Sequence, residues 1–262
     1  MRLCTFEVAT HLGRHSRVGV FKDSRIIDIN FATAWYLSQQ GESEPQQLAD
    51  ALAPSNMLEF LRAGLRALHT SEELFLGAGP RPAEWWTLES PPRGPNDETL
   101  VYKPAEVRLC APLPNPTRLG TNEDVHIKEK AERELKLAAV IGKRGVHIPA
   151  IEARGYIAGF TGMNDIGARY SALGPCLVTP DEIGNPYALE ICVRINGNQF
   201  GRTTSAGLRP KFESTIEALS SIDVVLPGDV IALELDIQPP VHAGDVIELE
   251  IEKIGTLRTR AV

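Results

Sequence analysis

Three short stretches of this 262-residue chain carry side chains whose types and spacing could do chemistry. In TNEDVHIKEK, His126 and Glu129 lie three positions apart, which puts them on one face of a helix. A carboxylate beside an imidazole raises its basicity and orients it as a general base. The same pattern, with Glu123 and Asp124 just ahead, also describes a solvated helix start whose acids complement the dipole. In ERELKLAAVIGKRG, Glu134 and Lys136 share one face of an alternating run that stops at Gly142. As a surface ion pair at a strand entrance they would be worth at most about 1 kcal/mol. In GFTGMNDIGARY, Asn164, Asp165 and Arg169 follow a Gly-rich run. Asn-Asp after glycine often means no more than a turn. An acid met in a cleft by a second acid from a neighbouring strand would instead suit a divalent ion with oxygen ligands. The chain has no P-loop, G-x-G-x-x-G, G-x-S-x-G or H-E-x-x-H pattern.

The composition narrows the classes of function. Hydrophobic residues make up 43% and charged residues 23%, as in an ordinary globular protein. A net charge of −7 argues against a nucleic-acid partner or an anionic membrane surface. No apolar run approaches the roughly 18 residues of a membrane-spanning helix. The start, MRLCTFEVATHLGRH, lacks the apolar core of a secretory signal, so a cytoplasmic protein is expected. Cys4, Cys110, Cys176 and Cys192 are scattered, as thiols in a reducing compartment would be.

The elements that must position these side chains read as α+β. Residues 1–100 form a small α+β domain plus linker, and residues 101–262 a strand-rich domain. RVGVFKDSRIIDIN reads as a hairpin around Lys22-Asp23-Ser24. Leu58, Leu61, Leu65 and Leu68 predict one helix, with Asn56 and Glu59 as a capping box. Residues 79–98 are a Pro- and Gly-rich linker, in which Trp85 and Trp86 either line a pocket or pin the linker to a domain. Asn196-Gly197 predicts a type I′ hairpin turn, and KFESTIEALSSI a short helix. GDVIALELDI (228–237) and GDVIELEIEKI (244–254) read as antiparallel strands of a rolled sheet, each with one wet face.

In order, EVRLCAPLPNPTRLG, ELKLAAVIGK, GYIAGFTGMNDIGAR, LGPCLVTPDEI, INGNQFGRTTS, LPGDVIA and GDVIELEIEKIGTL resemble the fumarylacetoacetate hydrolase superfamily over nearly the whole chain. The resemblance implies a mixed β-roll catalytic domain after a small α+β domain, usually as a homodimer. It places Glu134 on the family's first metal-binding Glu and Asp165 on its metal-binding Asp. NEDVHIKE matches the family's Asn-x-x-x-His-x-x-Glu, so His126 and Glu129 fall on a dyad that activates water in several members. Asn164, Arg169, Tyr170, Thr203 and Thr204 are the candidate substrate contacts.

The departures fall at the site. Lys136 stands where the family has its second metal-binding Glu. The stretch between Glu129 and Glu134 is shorter than usual, the segment that carries a catalytic Lys is missing after Arg169, and ALELD replaces a Thr-Gly-Thr loop. An ammonium about 4 Å from a divalent ion costs on the order of 8 kcal/mol at an effective dielectric of about 20. The expectation is therefore that Lys136 stands in for the metal between Glu134 and Asp165, and that no metal cofactor is needed. Three functions remain open. The first is a metal-independent enzyme acting through an enolate on a β-keto, 2-oxo-acid-like or polyketide-like small molecule, in a specialised biosynthetic or catabolic pathway. The second is a non-catalytic protein that binds a ligand or partner. The third is an acylpyruvate-type hydrolase that retains Mg²⁺ or Mn²⁺ on Glu134 and Asp165, with Glu123 or Asp124.

Overall fold

Arg2–Thr10 (β1) and Gly13–Lys22 (β2) begin the first sheet, paired antiparallel from Leu3↔Val20 to Thr10↔Gly13, with the buried runs Leu3–Phe6 and Val18–Val20 against each other. The computed structural model describes residues 1–11, 13–76, 84–113, 119–121, 134–165, 171–242 and 244–261. By its internal contacts the chain forms two compact units, Met1–Cys110 and Ala111–Val262.

In the first unit the predicted hairpin joins β2 to Arg25–Asp28 (β3). Asp23 and Ser24 both have positive φ (47° and 59°), the combination a type I′ turn requires. Four helices follow: Ile29–Gln39 (α1), Pro45–Leu52 (α2), Met57–Ala63 (α3) and Leu65–Leu76 (α4). The last two correct the single predicted helix. Gly64, at φ 64°, ends α3, and its N–H bonds Leu61 O at 3.1 Å. Asn56 caps α3 as expected, accepting from the N–H of Leu58 and Glu59, whereas Glu59 pairs with Arg62 at 2.7 Å. Val101–Tyr102 (β4) pairs with β3, and Arg108–Cys110 (β5) with β1. Both tryptophans serve packing. Trp85 is buried and donates to Leu74 O, and Trp86 donates to Asp23 Oδ2 at 2.8 Å, so they pin the linker to this unit.

The second unit has two sheets. Its strands and helices are Leu119–Thr121 (β6), Glu134–Ile141 (β7), Ala150–Ala153 (α5), Ile157–Asp165 (β8), Ser171–Val178 (β9), Pro180–Ile183 (α6), Glu190–Ile195 (β10), Asn198–Thr204 (β11), Phe212–Ile222 (α7), Val230–Glu234 (β12), Val246–Ile251 (β13) and Gly255–Arg260 (β14). One sheet runs β9-β8-β7-β12-β6, antiparallel except where β12 meets β6. The other runs β11-β10-β13-β14, with Asn196 and Gly197 in the predicted turn at positive φ. At Gly162 a Cβ would crowd the Gly174 carbonyl oxygen on neighbouring β9 at 3.0 Å, and it would lie 3.4 Å from Ile251 Cδ1 on β13 in the facing sheet. The two GDVI runs do not pair with one another. β13 keeps one wet face, where Arg194 meets Glu250 and Arg258 meets Glu248. β12 does not, because it lies between β7 and β6 and is buried from Val230 to Leu233. The whole is a mixed α+β fold with large antiparallel sheets. All four cysteines are free thiols.

Candidate functional site

The site grows out of the start of β7 and the end of β8. These strands are antiparallel, so Glu134 faces Asp165 on the first rung and Lys136 faces Met163 on the next. Residues directly opposite, and residues two apart on one strand, project on the same face. Glu134, Lys136 and Asp165 therefore gather on the face that turns away from Ile251. The Lys136 Nζ lies 2.6 Å from Glu134 Oε2 and 3.1 Å from Asp165 Oδ2. The lysine side chain is 6% exposed and the two carboxylates 21% and 22%. Burial alone would pull the lysine pKa down, but hydrogen bonds to Glu134 and Asp165 outweigh it and hold the group above its usual value. The site thus holds a fixed ammonium with one N–H that has no partner among the described residues.

The row below is small. Ala138 faces Thr161 on β8 and Ala232 on β12, and the buried Thr161 hydroxyl has no hydrogen-bond partner among the described residues. Beside Lys136, on the β12 side, stands Glu234. The Gln238 side chain accepts from Leu135 N–H at 2.9 Å and donates to Leu135 O and Leu235 O, closing the ladder next to the cluster. The same Nε2 lies 3.4 Å from Glu234 Oε1.

The other predicted site residues are distributed as follows. Asn164 neighbours Asp165 on β8 and so points to the opposite face, where its Nδ2 donates to Thr259 Oγ1 at 2.5 Å and its buried Oδ1 has no partner among the described residues. Thr203 and Thr204 lie on β11 in the other sheet and make no hydrogen bond to the lysine cluster among the described residues. His126, Glu129, Arg169 and Tyr170, like Glu123 and Asp124, lie outside the described residues. Glu234 and Gln238 were not singled out from sequence. The one signal that pointed near them was the ALELD stretch.

A profile described as fumarylacetoacetate (FAA) hydrolase C-terminal matches residues 83–262. The chain belongs to the fumarylacetoacetate hydrolase family. Among its relatives is "Oxaloacetate tautomerase FAHD2A, mitochondrial" of Homo sapiens, 28% identical over 300 aligned residues that cover all of this chain and 92% of the relative. "Maleylpyruvate hydrolase" of Aquipseudomonas alcaligenes is 32% identical over 160 residues, 55% of this chain and 56% of that protein. Among solved structures, maleylpyruvate hydrolase from Sphingobium sp. SYK-6 has the same fold, with a TM-score of 0.70 at 20% identity over 100% of this chain and 99% of that one.

That enzyme has also been solved with manganese(II) and pyruvate, at a TM-score of 0.66, 21% identity, and coverage of 100% of this chain and 99% of that one. In this fumarylacetoacetate hydrolase family member the described residues do not fit a divalent cation. The ammonium of Lys136 stands between the two carboxylates that would hold it. Among the described residues no group of three or more His, Cys, Asp or Glu side chains is arranged to hold a metal ion. The electrostatic balance is nonetheless kept, since one Lys carries the charge of one Glu plus one divalent cation.

Proposed function

We propose that this protein is a metal-independent enzyme that acts on a small β-keto or 2-oxo acid through an enolate. The observation that carries the reading is the buried Lys136 ammonium, paired with Glu134 and Asp165 and retaining one unpartnered N–H among the described residues. A preorganised donor aimed at an oxygen that gains charge in the transition state lowers the barrier to enolate formation. The raised lysine pKa favours this role over imine formation, which needs the free amine. The names of the relatives support the substrate class, because oxaloacetate and maleylpyruvate are both 2-oxo acids. In this reading His126 and Glu129 move a proton to or from water, with Arg169 and Tyr170 near the substrate. The reaction is C–C cleavage, decarboxylation, dehydration, isomerisation or cyclisation. The enzyme works as a homodimer in the cytoplasm, in a specialised biosynthetic or catabolic pathway. Free thiols at all four cysteines support a reducing compartment.

A metal-dependent hydrolase is the second reading, favoured by the manganese in the Sphingobium structure. The experiment is turnover of oxaloacetate, maleylpyruvate and related 2-oxo and 1,3-dicarbonyl acids after exhaustive chelation, with elemental analysis and light scattering on the same sample. Turnover that survives chelation, without stoichiometric metal and at twice the 28.6 kDa chain mass, is the expected result. Turnover only on adding Mn²⁺ or Mg²⁺ would establish the second reading. No acceleration of any of these acids would leave a non-catalytic binding protein.

A further inference from the structure

We propose that Glu234 is a catalytic residue of this site, the group that takes the proton from the carbon beside the carbonyl whose oxygen Lys136 stabilises. The inference rests on the enolate reading above. Glu234 ends β12 directly opposite Lys136 on β7. The adjoining rung is hydrogen-bonded, with Leu235 N–H donating to Leu135 O at 3.0 Å. Hydrogen-bonded and non-bonded pairs alternate in an antiparallel ladder, so Lys136 and Glu234 form the narrow kind of pair, with Cα atoms about 4.5 Å apart and side chains side by side on one face.

The carboxylates around Lys136 divide the work. Glu134 and Asp165 turn oxygens to the ammonium at 2.6 and 3.1 Å. Glu234, on the other neighbouring strand, is exposed where the lysine is buried. A carbonyl oxygen that accepts from the remaining N–H of Lys136 would carry the acidic carbon two bonds away, on the sheet face that Glu234 shares with the lysine. Gln238 gives the carboxylate a fixed neighbour. Its Nε2 lies 3.4 Å from Glu234 Oε1, while the same amide is tied to Leu135, the residue between Glu134 and Lys136.

The step balances without a co-reactant. The Glu234 carboxylate takes a proton from the carbon next to the carbonyl. The C–H electron pair becomes the C=C bond of the enolate, and the C=O π pair moves onto the oxygen beside the Lys136 ammonium. The carboxylic acid so formed returns its proton to that oxygen, which gives the enol, or to carbon in the reverse direction. This is a 1,3-proton shift, with no change in oxidation state.

The test measures tautomerisation of oxaloacetate by its enol absorbance in chelator-treated buffer, together with calorimetric binding of oxalate, a planar mimic of the enolate oxygens. Glu234→Gln should lower kcat by roughly 10²–10⁴-fold, the range for lost acid–base catalysis. It should leave oxalate binding intact or tighter, because it removes a negative charge beside the dianion, and that binding also shows that the variant is folded. Lys136→Met should weaken oxalate binding by more than about tenfold, because it removes the charge that holds the anion. Wild-type rates in Glu234→Gln, from an active wild type, would overturn the assignment and leave the enolate reading standing. A wild type that neither accelerates tautomerisation nor binds oxalate would remove that reading, and this inference with it.

Discussion

Arg17 and Lys136 are both cations removed from water, one in each unit, and their surroundings differ. Arg17 is closed. Its Nε and Nη2 grip the two oxygens of Asp28 at 2.7 and 2.9 Å, and Nη2 also reaches Asn30 Oδ1 at 3.2 Å. The guanidinium lies over Phe31, 3.6 Å from the ring centroid. Asp28 is fully buried and also caps α1 through Phe31 N–H. Asn30, Gln46 and Asp50 form a further ring of hydrogen bonds behind the pair. One cation meets one anion with bidentate geometry. Lys136 is open. One ammonium meets two carboxylates that are each about one-fifth exposed, and one of its N–H groups has no partner among the described residues. A closed pair can do little except hold elements together. An open cluster of net charge −1 keeps a donor available for another molecule.

The largest way to break this contrast is Arg17→Ala. It leaves the Asp28 carboxylate buried without its counter-ion, and breaking such a pair costs about 3–5 kcal/mol. Denaturant unfolding should show that loss, with the midpoint moving and the slope unchanged. A loss below about 1 kcal/mol would mean that the ring of Asn30, Gln46 and Asp50 suffices without the arginine.

Lys136→Ala should separate the two effects in the other direction. Its stability cost falls between the surface and buried ranges, roughly 1–3 kcal/mol, because Glu134 and Asp165 remain partly solvated. Its effect on turnover should be near complete. The pH dependence has a definite sign. The pKa of Lys136 is raised in the fold, so its contribution is whole below the ordinary value of 10.5 and is lost as pH rises through the higher folded value. The stability gap between wild type and Lys136→Met should stay flat from neutral pH to about pH 10 and shrink above it. Lys136→Glu sharpens the comparison further. It replaces the built-in cation with a third carboxylate, and calorimetry should then show Mn²⁺ uptake that the wild type lacks. Equal uptake by both proteins would show that the lysine does not stand in for the metal.

The halves of this contrast were unequally legible in the sequence. Strand β7 was plain, because apolar residues on both faces from Leu137 to Ile141 leave few alternatives. The hairpin around Lys22-Asp23-Ser24 and the I′ turn at Asn196-Gly197 were plain from local residue types, though the turn type of the first came only with the structure. Gly64 was not, since four leucines at helical spacing span the break. The meeting of Glu134, Lys136 and Asp165 was reached through family resemblance, because the pairing of β7 with β8 depends on register between distant segments. Glu234 was invisible on those grounds. Nothing local in ALELD says that its glutamate lands opposite Lys136, and the alternation there suggested a wet face that β12 does not have. The Arg17–Asp28 pair also went unread, because burial of a charge is a property of the whole unit.

The smallest predicted effect concerns Gln238, and it tests how the open cluster is held. The Gln238 amide accepts from Leu135 N–H at 2.9 Å and donates to Leu135 O at 3.3 Å, as a neighbouring strand would. It therefore extends the β7–β12 ladder one rung past the backbone, at the residue that separates Glu134 from Lys136. Gln238→Ala removes those bonds and leaves the Leu135 N–H to find water, at a cost of about 1 kcal/mol. The global loss is small because β7 remains paired with β8 along its length. The local effect should be specific. Amide exchange at Leu135 should speed up, while Leu137, deeper in the ladder, keeps its protection. Turnover should fall by a few-fold, well short of the Lys136→Ala loss, because the ion pairs persist but fluctuate more. If Leu135 exchange is unchanged in Gln238→Ala, the side chain does not position the cluster, and the carboxylates alone fix the lysine.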